Sequence, residues 1–222
     1  MEDIKEVSLF EKIRERLFDK KYNIQIEDRF LTTDKGQSVL LRSTTSFCNG
    51  RSAEIEIFAY LQDKYSENID IKTQAGMLIG EFYKKYQGSA SDLSDYRGNK
   101  RPLTKNRGEF SLDIIEVEED YKNKGIGSLI RDLSTYKFAE FLDSKGIEQG
   151  FISGVFAPFG PDESYGDTMK FYCRNGFVIY PARTDIESKK TVLYKPVTAK
   201  AVLDDLKNRK FKEVDNSWER VE

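Results

Sequence analysis

The alternation of apolar and polar residues predicts a chain built mainly from β-strands that are joined by a few helices. Ile55, Ile57, Ala59 and Leu61 occupy every second position, so this stretch is expected to form a strand with one mainly apolar face. Runs rich in β-branched and aromatic residues predict further strands at Asn23–Leu31, Gln37–Thr45, Gln74–Tyr86, Phe110–Val117, Gln149–Phe156, Phe177–Tyr180 and Thr191–Val197. Around the start of the strand at Phe110, period-two spacing predicts one face with Glu109, Ser111 and Asp113, opposite Phe110, Leu112 and Ile114.

Helical spacing predicts four helices. The first begins at Ser8, which can cap it together with Glu11, and ends near Tyr22. Two short helices are expected later in the chain, from Thr168 after the cap Asp167 and from Ala199 after the cap Thr198. In the longest helix, apolar residues at three- and four-residue steps define one face of an amphipathic helix, namely Ile126, Leu129, Ile130, Leu133 and Phe141.

Glycines mark the ends of several predicted elements. Gly36 and Gly50 follow polar turn residues and fit tight turns between strands. Gly146 and Gly176 stand where a helix commonly ends on a glycine. Gly80 lies within a predicted strand, which indicates a β-bulge or a close approach of another part of the chain.

One stretch, from Phe110 to Asp143, combines a strand, a glycine turn and a helix. The turn contains Gly125 and Gly127, which allow backbone N–H groups to approach an anion closely. The free N–H groups and the dipole of the first helical turn add attraction for negative charge. Such an arrangement can hold a phosphate, although a glycine pair before a helix is more often only a turn.

Composition narrows the chemistry further. The chain has 222 residues, 33% of them charged, and a net charge of −2, so nothing overall favours nucleic acid. It contains no histidine, which removes catalysis by a histidine base and metal sites that need imidazole. Its two cysteines, Cys48 and Cys173, lie far apart in sequence and form no metal-ligand pair. We therefore expect no metal.

The remaining organisation follows from runs of polar and apolar residues. No apolar run approaches membrane-spanning length and the N-terminus is acidic, so we expect a cytoplasmic protein without membrane association. We expect one domain over 1–222, with a divergent N-terminal part (1–62), a part that carries the sequence motifs (109–197), and a C-terminal helix and tail (198–222). The polar segment Gly88 to Gly108 is either a surface insertion or a lid, and Ala157 to Gly166 is a second loop.

Two motifs together resemble the GNAT superfamily of acyl-CoA-dependent N-acetyltransferases. The first is IEVEEDYKNKGIGSLI, in which Val117, Lys122, Gly125 and Gly127 match the pattern of a strand, a glycine turn and a helix. The second is KFYCRNGF, where the matching residues are Phe171, Tyr172, Gly176 and Phe177. The resemblance implies an α/β fold with a mixed, mostly antiparallel sheet of about seven strands, splayed in the middle, with helices on both faces.

The resemblance also implies acetyl-CoA as the co-substrate. The CoA pantetheine would pair with the backbone near Ile115 and Val117, and its pyrophosphate would lie against the glycine turn. The residues implied to bind the cofactor are Ile115, Val117, Lys122, Asn123, Lys124, Gly125, Ile126, Gly127 and Ser128. The acceptor would be a primary amine of a small molecule or a protein, and the resemblance leaves a homodimer open.

Three residues are implied to take part in the chemistry. Tyr172 would protonate the leaving thiolate, because an ordinary phenol remains protonated at neutral pH. Asp113 is the first choice for the base that deprotonates the amine, and Glu116 is the second. The alternatives are that Tyr172 only packs and that both carboxylates are solvated or paired. The oxyanion donor would be the backbone N–H of Val117 or its neighbour.

The chain also departs from the family pattern. Lys122 stands where arginine or glutamine is usual, and Glu119 replaces the common proline. A helix pair expected between the first two strands is not evident in the sequence. A non-catalytic GNAT-shaped module that senses acyl-CoA or binds a protein is therefore the alternative interpretation.

Overall fold

A computed structural model describes residues 23–48, 50–61, 74–85, 107–156, 165–185 and 190–209. The strands are β1 (Asn23–Thr32), β2 (Ser38–Cys48), β3 (Ser52–Leu61), β4 (Gln74–Tyr83), β5 (Gly108–Val117), β6 (Gln149–Phe156), β7 (Val178–Asp185) and β8 (Lys190–Thr198). The α-helices are α1 (Ile126–Ser144), α2 (Tyr165–Arg174) and α3 (Ala199–Arg209). A 3-10 turn, Glu119–Tyr121, lies between β5 and the glycine turn that precedes α1.

All eight strands form one mixed sheet in the order β1-β2-β3-β4-β5-β6-β8-β7. Six of the seven neighbouring pairs are antiparallel, and β5 with β6 is the parallel pair. Parallel neighbours need a long crossover connection, and α1 supplies it between β5 and β6. The expected mixed, mostly antiparallel sheet is thus confirmed, with eight strands in the described residues where about seven were predicted.

The parallel pair is joined over only part of its length. Gly108 to Leu112 pair with Gly150 to Gly154, and β5 then runs on to Val117 with no partner in β6. The predicted splay in the middle of the sheet is confirmed. It leaves a cleft between the C-terminal halves of β5 and β6.

A β-bulge lies where this cleft begins. Leu112 is paired with Gly80 and Ile114 with Ile79, so Asp113 is the extra residue in β5. The predicted irregularity at Gly80 is confirmed, and a Cβ there would lie 2.5 Å from both Phe110 Cε2 and the carbonyl oxygen of Ser111. Only glycine fits this position, because backbone and an aromatic ring fill the space of any side chain.

Helix α1 differs from the prediction. Its apolar residues are buried as expected, but its polar face is buried as well: Arg131, Asp132, Ser134, Thr135 and Lys137 all lie inside the protein. The predicted apolar face is thus confirmed, whereas the burial of the polar residues was not predicted. Apolar spacing identifies the face of the helix that packs on the sheet. It does not show that β1 and α3 also lie against this helix.

The buried polar residues of α1 are matched by charges from β1. Lys137 Nζ lies 2.6 Å from Glu27 and 3.0 Å from Glu140. The Arg29 guanidinium stands 5.5 Å from the centroid of the Tyr136 ring. Burial alone would raise the pKa of Glu27, but hydrogen bonds and charge from Lys137 and Arg29 hold this pKa below its ordinary value. Strand β1 is thus tied to α1 by ionic contacts.

Most predicted element ends agree with the structure. Gly36, Gly50, Gly146 and Gly176 all adopt positive φ angles, as turns and helix C-termini require. The helix α2 begins at Tyr165, before Asp167, so the prediction that Asp167 caps it was wrong. The predicted helix from Ser8 lies outside the described residues.

The two predicted loops are largely outside the described residues. Residues 88–106 of the first loop and 157–164 of the second are not among the described residues. Among the helices that are described, none has both the length and the hydropathy needed to cross a bilayer.

We expect Phe138→Ala to lower the free energy of unfolding by about 3–5 kcal/mol. The Phe138 side chain is fully buried, and its ring centroid lies 5.4 Å from that of Phe82 and 5.8 Å from that of Phe110. Chemical denaturation would measure the loss. Phe30→Ala is the control. Because Phe30 is 39% exposed, this substitution should lower the free energy of unfolding by less than half as much. Equal losses would contradict a core centred on α1.

Candidate active site

The segment before α1 forms a tight, glycine-dependent turn. Asn123 and Gly125 both have left-handed backbones, with φ of 62° and 85°. Helix α1 begins at Ile126, and no side chain caps it. A helix that starts without a side-chain cap directs its first N–H groups at whatever lies in front of it. The glycine turn and the helix start that the sequence predicted are therefore present, and the binding of an anion there stays a prediction.

The turn between β1 and β2 lies against this site. A Cβ on Gly125 would stand only 3.0 Å from Cβ of Thr33, which is itself buried. The Thr33 hydroxyl accepts hydrogen bonds from the backbone N–H groups of Lys35 and Gln37, at 3.3 and 3.1 Å. The turn between β1 and β2, held by these two hydrogen bonds, thus packs against the glycine turn.

The other predicted cofactor residues surround the same turn. Lys122 Nζ is 2.7 Å from Glu119, and Lys124 Nζ stands 5.0 Å from the centroid of the Tyr121 ring. Ile126 is buried, and Ser128 follows Gly127 in the first turn of the helix. The predicted residues are therefore brought together around the start of α1, although Lys122 is engaged by an acidic neighbour.

Gly127 lies where the end of β5, α1 and α2 meet. A Cβ at this position would stand 3.3 Å from Val117 Cγ2 and 4.0 Å from ring atom Cζ of Phe171. The glycine thus brings the end of β5 and α2 close to the helix. The two sequence motifs, which are some 45 residues apart in the chain, share this contact.

The bulge changes which side chains of β5 face the core. Strict alternation predicted Phe110, Leu112 and Ile114 on one face. In the structure Ile115 and Val117 pack against the core together with Leu112, because the extra residue Asp113 shifts the alternation by one. The prediction for Ile114 was wrong. The doublet Ile114-Ile115 breaks strict alternation and was the sequence signal of the bulge.

Asp113 stands at the point where β5 leaves β6. It is the first residue after the last paired position, Leu112, and its carboxylate accepts a 3.4 Å hydrogen bond from the Ser111 hydroxyl. Glu116 is also exposed and lies nearer the glycine turn. Glu109, by contrast, is buried at the paired end, where it accepts a 2.7 Å hydrogen bond from the Ser153 hydroxyl.

Three further carboxylates line the same face of the sheet, the one turned away from α1. Glu81 is directly opposite Glu54 across the β3–β4 pair, and Ser111 is opposite Glu81 across the β4–β5 pair. Glu56 lies two residues along β3 from Glu54. Together with Asp113 these residues form a carboxylate row across three strands. Like charges directly opposite one another weaken a sheet, so this row is not explained by stability.

Three acids of the carboxylate row, Asp113, Glu81 and Glu56, have pKa values above the ordinary ones. Partial burial raises the pKa of Asp113, opposed by the hydrogen bond from Ser111. Burial also raises the pKa of Glu81, and the charges of Asp113 and Glu54 raise it further. Burial and the charge of Glu54 have the same effect on the pKa of Glu56. A raised pKa suits a carboxylate that accepts and releases protons near neutrality.

Tyr172 is buried in α2 between two other aromatic residues. Its ring centroid lies 5.4 Å from that of Phe171 and 5.2 Å from that of Phe177, both in edge-to-face geometry. We call Phe171, Tyr172 and Phe177 the aromatic row. This packing holds the Tyr172 ring in one orientation.

Several residues at the site were missed by the sequence analysis. Glu54, Glu56 and Glu81 were not selected, because the pairing of strands that brings them together cannot be deduced from one strand alone. Thr33 was seen only as a turn residue. The alternation of Glu54 and Glu56 with apolar neighbours placed them on one face, and this was the only signal available.

No protein-family model matches this chain, and no curated protein matches it either. Solved structures do. A protein from Desulfovibrio desulfuricans, described as an acetyltransferase of the GNAT family, is 15% identical to this chain. The match covers 66% of this chain and 69% of that protein, with a TM-score of 0.35. Arabidopsis thaliana Naa50, in complex with a bisubstrate analogue, is 17% identical over 63% of this chain and 71% of its own, with a TM-score of 0.37. Ard1 from Thermoplasma volcanium is 16% identical over 64% of this chain and 70% of its own, with a TM-score of 0.33.

The topology of the chain itself decides the fold. Its strands β5 and β6 are parallel and part beyond Leu112, and a glycine turn and α1 connect them. The fold is GNAT-like. The resemblance seen in the two motifs is confirmed at the level of the fold.

In the described residues, no group of three or more histidine, cysteine, aspartate or glutamate residues could hold a metal ion.

We expect Glu81→Gln to raise the free energy of unfolding at pH 7–8 by about 0.2–1 kcal/mol, the usual size of a cross-strand charge pair. A carboxyl whose pKa is raised on folding favours the native state when protonated, so stability falls as pH rises from the ordinary value of 4.5 through the raised pKa. The gain should therefore disappear toward pH 4. Denaturant titrations at several pH values would measure it. Glu118→Gln, an exposed acid outside the row, should show no such pH dependence.

Proposed function

We propose that this protein is an acyl-CoA-dependent N-acyltransferase that moves an acetyl group from acetyl-CoA to a primary amine of a small molecule or a protein. The observation that carries the proposal is the parting of β5 from β6 beyond Leu112, with the uncapped start of α1 at the end of the same strand. A thioester ligand with a pyrophosphate needs both features: an extended cleft and an anion site at one end of it.

The two features suit the two halves of CoA. The edge of β5 after Leu112 has no partner in β6, so its backbone groups are available to the amides of pantetheine. The pyrophosphate would lie on the N–H groups that follow Gly125, where the helix dipole adds modest attraction. The support from Thr33 and Val117 fixes this turn before the ligand arrives, which reduces the ordering cost of binding.

The reaction requires a neutral amine. Its nitrogen attacks the thioester carbonyl carbon, and the carbon–sulfur bond breaks when the tetrahedral intermediate collapses. Asp113 takes the proton that the amine loses, directly or through a water, and the raised pKa of this carboxyl favours that role. Glu116 is the second candidate for the base. Tyr172 donates its phenolic proton to the departing thiolate.

The carboxylate row supports an amine as the acceptor. Glu54, Glu81 and Asp113 face the same side of the sheet, so an ammonium group would be attracted to the bulge at which the cleft begins. The oxyanion of the tetrahedral intermediate would be stabilised by the backbone N–H of Val117 or its neighbour. A cytoplasmic location, a single domain over 1–222 and a homodimer remain predictions.

A second candidate function is a non-catalytic module that binds acyl-CoA. One observation favours it: Tyr172 is buried and packed edge-to-face on both sides, which is also what a purely structural aromatic residue would show. The two candidates share the same ligand and differ in turnover.

We expect the wild-type protein to bind acetyl-CoA and Gly125→Ala to bind it at least about tenfold more weakly. Alanine at this position would have to adopt φ of 85° and would press on Thr33, so the glycine turn would distort. Gly146→Ala is the matched control at the other end of α1, because it also has positive φ but meets no atom within 4 Å. It should cost about 1–2 kcal/mol of stability and leave affinity unchanged. Calorimetry would measure the affinities, and equal affinity in all three proteins would argue against the proposed site.

We expect Tyr172→Phe to lower turnover by about 100-fold or more without changing the affinity for acetyl-CoA, because only the acid is removed. Thiol release with a panel of primary amines would measure turnover. Tyr136→Phe, a buried tyrosine elsewhere in the core, should leave turnover unchanged. Parallel losses of affinity and turnover would indicate a packing role, and binding without thiol release for any amine would favour the non-catalytic module.

A further inference from the structure

A buried arginine on α1 has one nitrogen that is not used by the protein. Arg131 lies one helical turn after Gly127, and its Nε and Nη2 donate to Asp132 at 3.0 and 2.5 Å. Its Nη1 is buried and has no hydrogen-bond partner among the described residues. A buried donor of a charged group that makes no hydrogen bond is costly, so such a nitrogen indicates a missing acceptor.

A second cation stands at the other end of the aromatic row. The Arg131 guanidinium carbon is 5.6 Å from the centroid of the Phe171 ring, and Lys195 Nζ is 5.8 Å from that of Phe177. Burial lowers the pKa of Lys195, and the charge of Arg131 lowers it further, while Asp132 raises it. The two cations are thus near enough to repel each other.

The charges of this group are not balanced. In the described part of the chain, Arg131 and Asp132 are buried and Lys195 is half-buried, and these three groups bring together two positive charges and one negative charge. An excess charge with little contact to water is costly unless a ligand of opposite charge meets it. We propose that Arg131 and Lys195 form an oxyanion subsite that binds a carboxylate or phosphate group of the acyl-CoA ligand.

The subsite borders the proposed cleft. Phe171 contacts the Arg131 guanidinium on one side and approaches Gly127, in the glycine turn, on the other. That acyl-CoA supplies the anion rests on the proposed function, whereas the subsite itself rests on the unused nitrogen and the unbalanced charge. Two groups of such a ligand have the required chemistry: a carboxylate at the end of the acyl chain, or a phosphate of the nucleotide.

Two charge-removing proteins test the subsite. In the first, Arg131→Met is combined with Asp132→Asn, so that no unpaired carboxylate is left in the interior. The second is Lys195→Met. The matched control is Lys145→Met, because Lys145 also places its ammonium 5.6 Å from a phenylalanine ring, that of Phe141, but at the far end of α1.

Calorimetry with acetyl-CoA and succinyl-CoA measures the effect. We expect both charge-removing proteins to bind at least one of these ligands about tenfold or more weakly than wild type, and the control to bind as wild type does. A loss confined to succinyl-CoA identifies the acyl carboxylate as the occupant. A similar loss for both ligands identifies a phosphate, provided that inorganic phosphate raises the melting temperature of wild type but not of the two variants.

Other outcomes overturn the proposal. These are unchanged affinities in both variants, or equal losses for both ligands without a lost response to inorganic phosphate, which would indicate altered packing. If wild type binds neither ligand, the proposed function fails and the subsite is decided by thermal shifts with inorganic phosphate and succinate. A stabilisation that both variants lose supports the subsite; no stabilisation, or one that the variants keep, refutes it.

Discussion

The burial of α1 on all sides is the constraint on which the rest of the structure depends. Strands β3 to β5 lie against one face of this helix, α3 packs along another, and β1 reaches it through Lys137 and Glu27. A helix enclosed in this way cannot shift along or around its axis without breaking contacts on several sides. The position of its first turn, and therefore of Gly125, is fixed relative to the end of β5.

The second constraint is the change that occurs in the middle of β5. At Leu112 the pairing with β6 ends, and at Asp113 a bulge shifts the alternation of side chains. One strand thereby serves two purposes. Before this point it is an ordinary core strand with Phe110 fully buried, and after it the strand has a free edge, with a carboxylate exposed at the start of the cleft.

Local signals predicted the features that depend on a few neighbouring residues. The left-handed glycines at 36, 50, 146 and 176, the irregularity at Gly80 and the alternation of Ile55, Ile57 and Ala59 all follow from backbone sterics or from the period of a strand. The cap at Asp167 and the face of Ile114 were predicted wrongly. The helix begins two residues before Asp167, and one extra residue in β5, Asp113, changes the alternation; propensities do not resolve such small shifts.

The carboxylate row and the cluster of Arg131 and Lys195 could not be predicted in the same way. Glu54, Glu81 and Asp113 come from three strands, and only the register of the sheet places them side by side. Arg131 is not part of the apolar face of α1 that the sequence predicted, and only the packing of α2 and β8 encloses it. Such groups depend on long-range contacts, which leave no periodic trace in the sequence.

By itself, the sequence determined the kind of elements, their order along the chain and the glycine turn before α1, because these depend on local sterics and on the spacing of apolar residues. The tertiary structure decided where β5 leaves β6, which acidic residues meet, and that a polar helix face is buried. Those outcomes depend on strand register and on the enclosure of α1, and both are set by contacts between residues that are far apart in the chain.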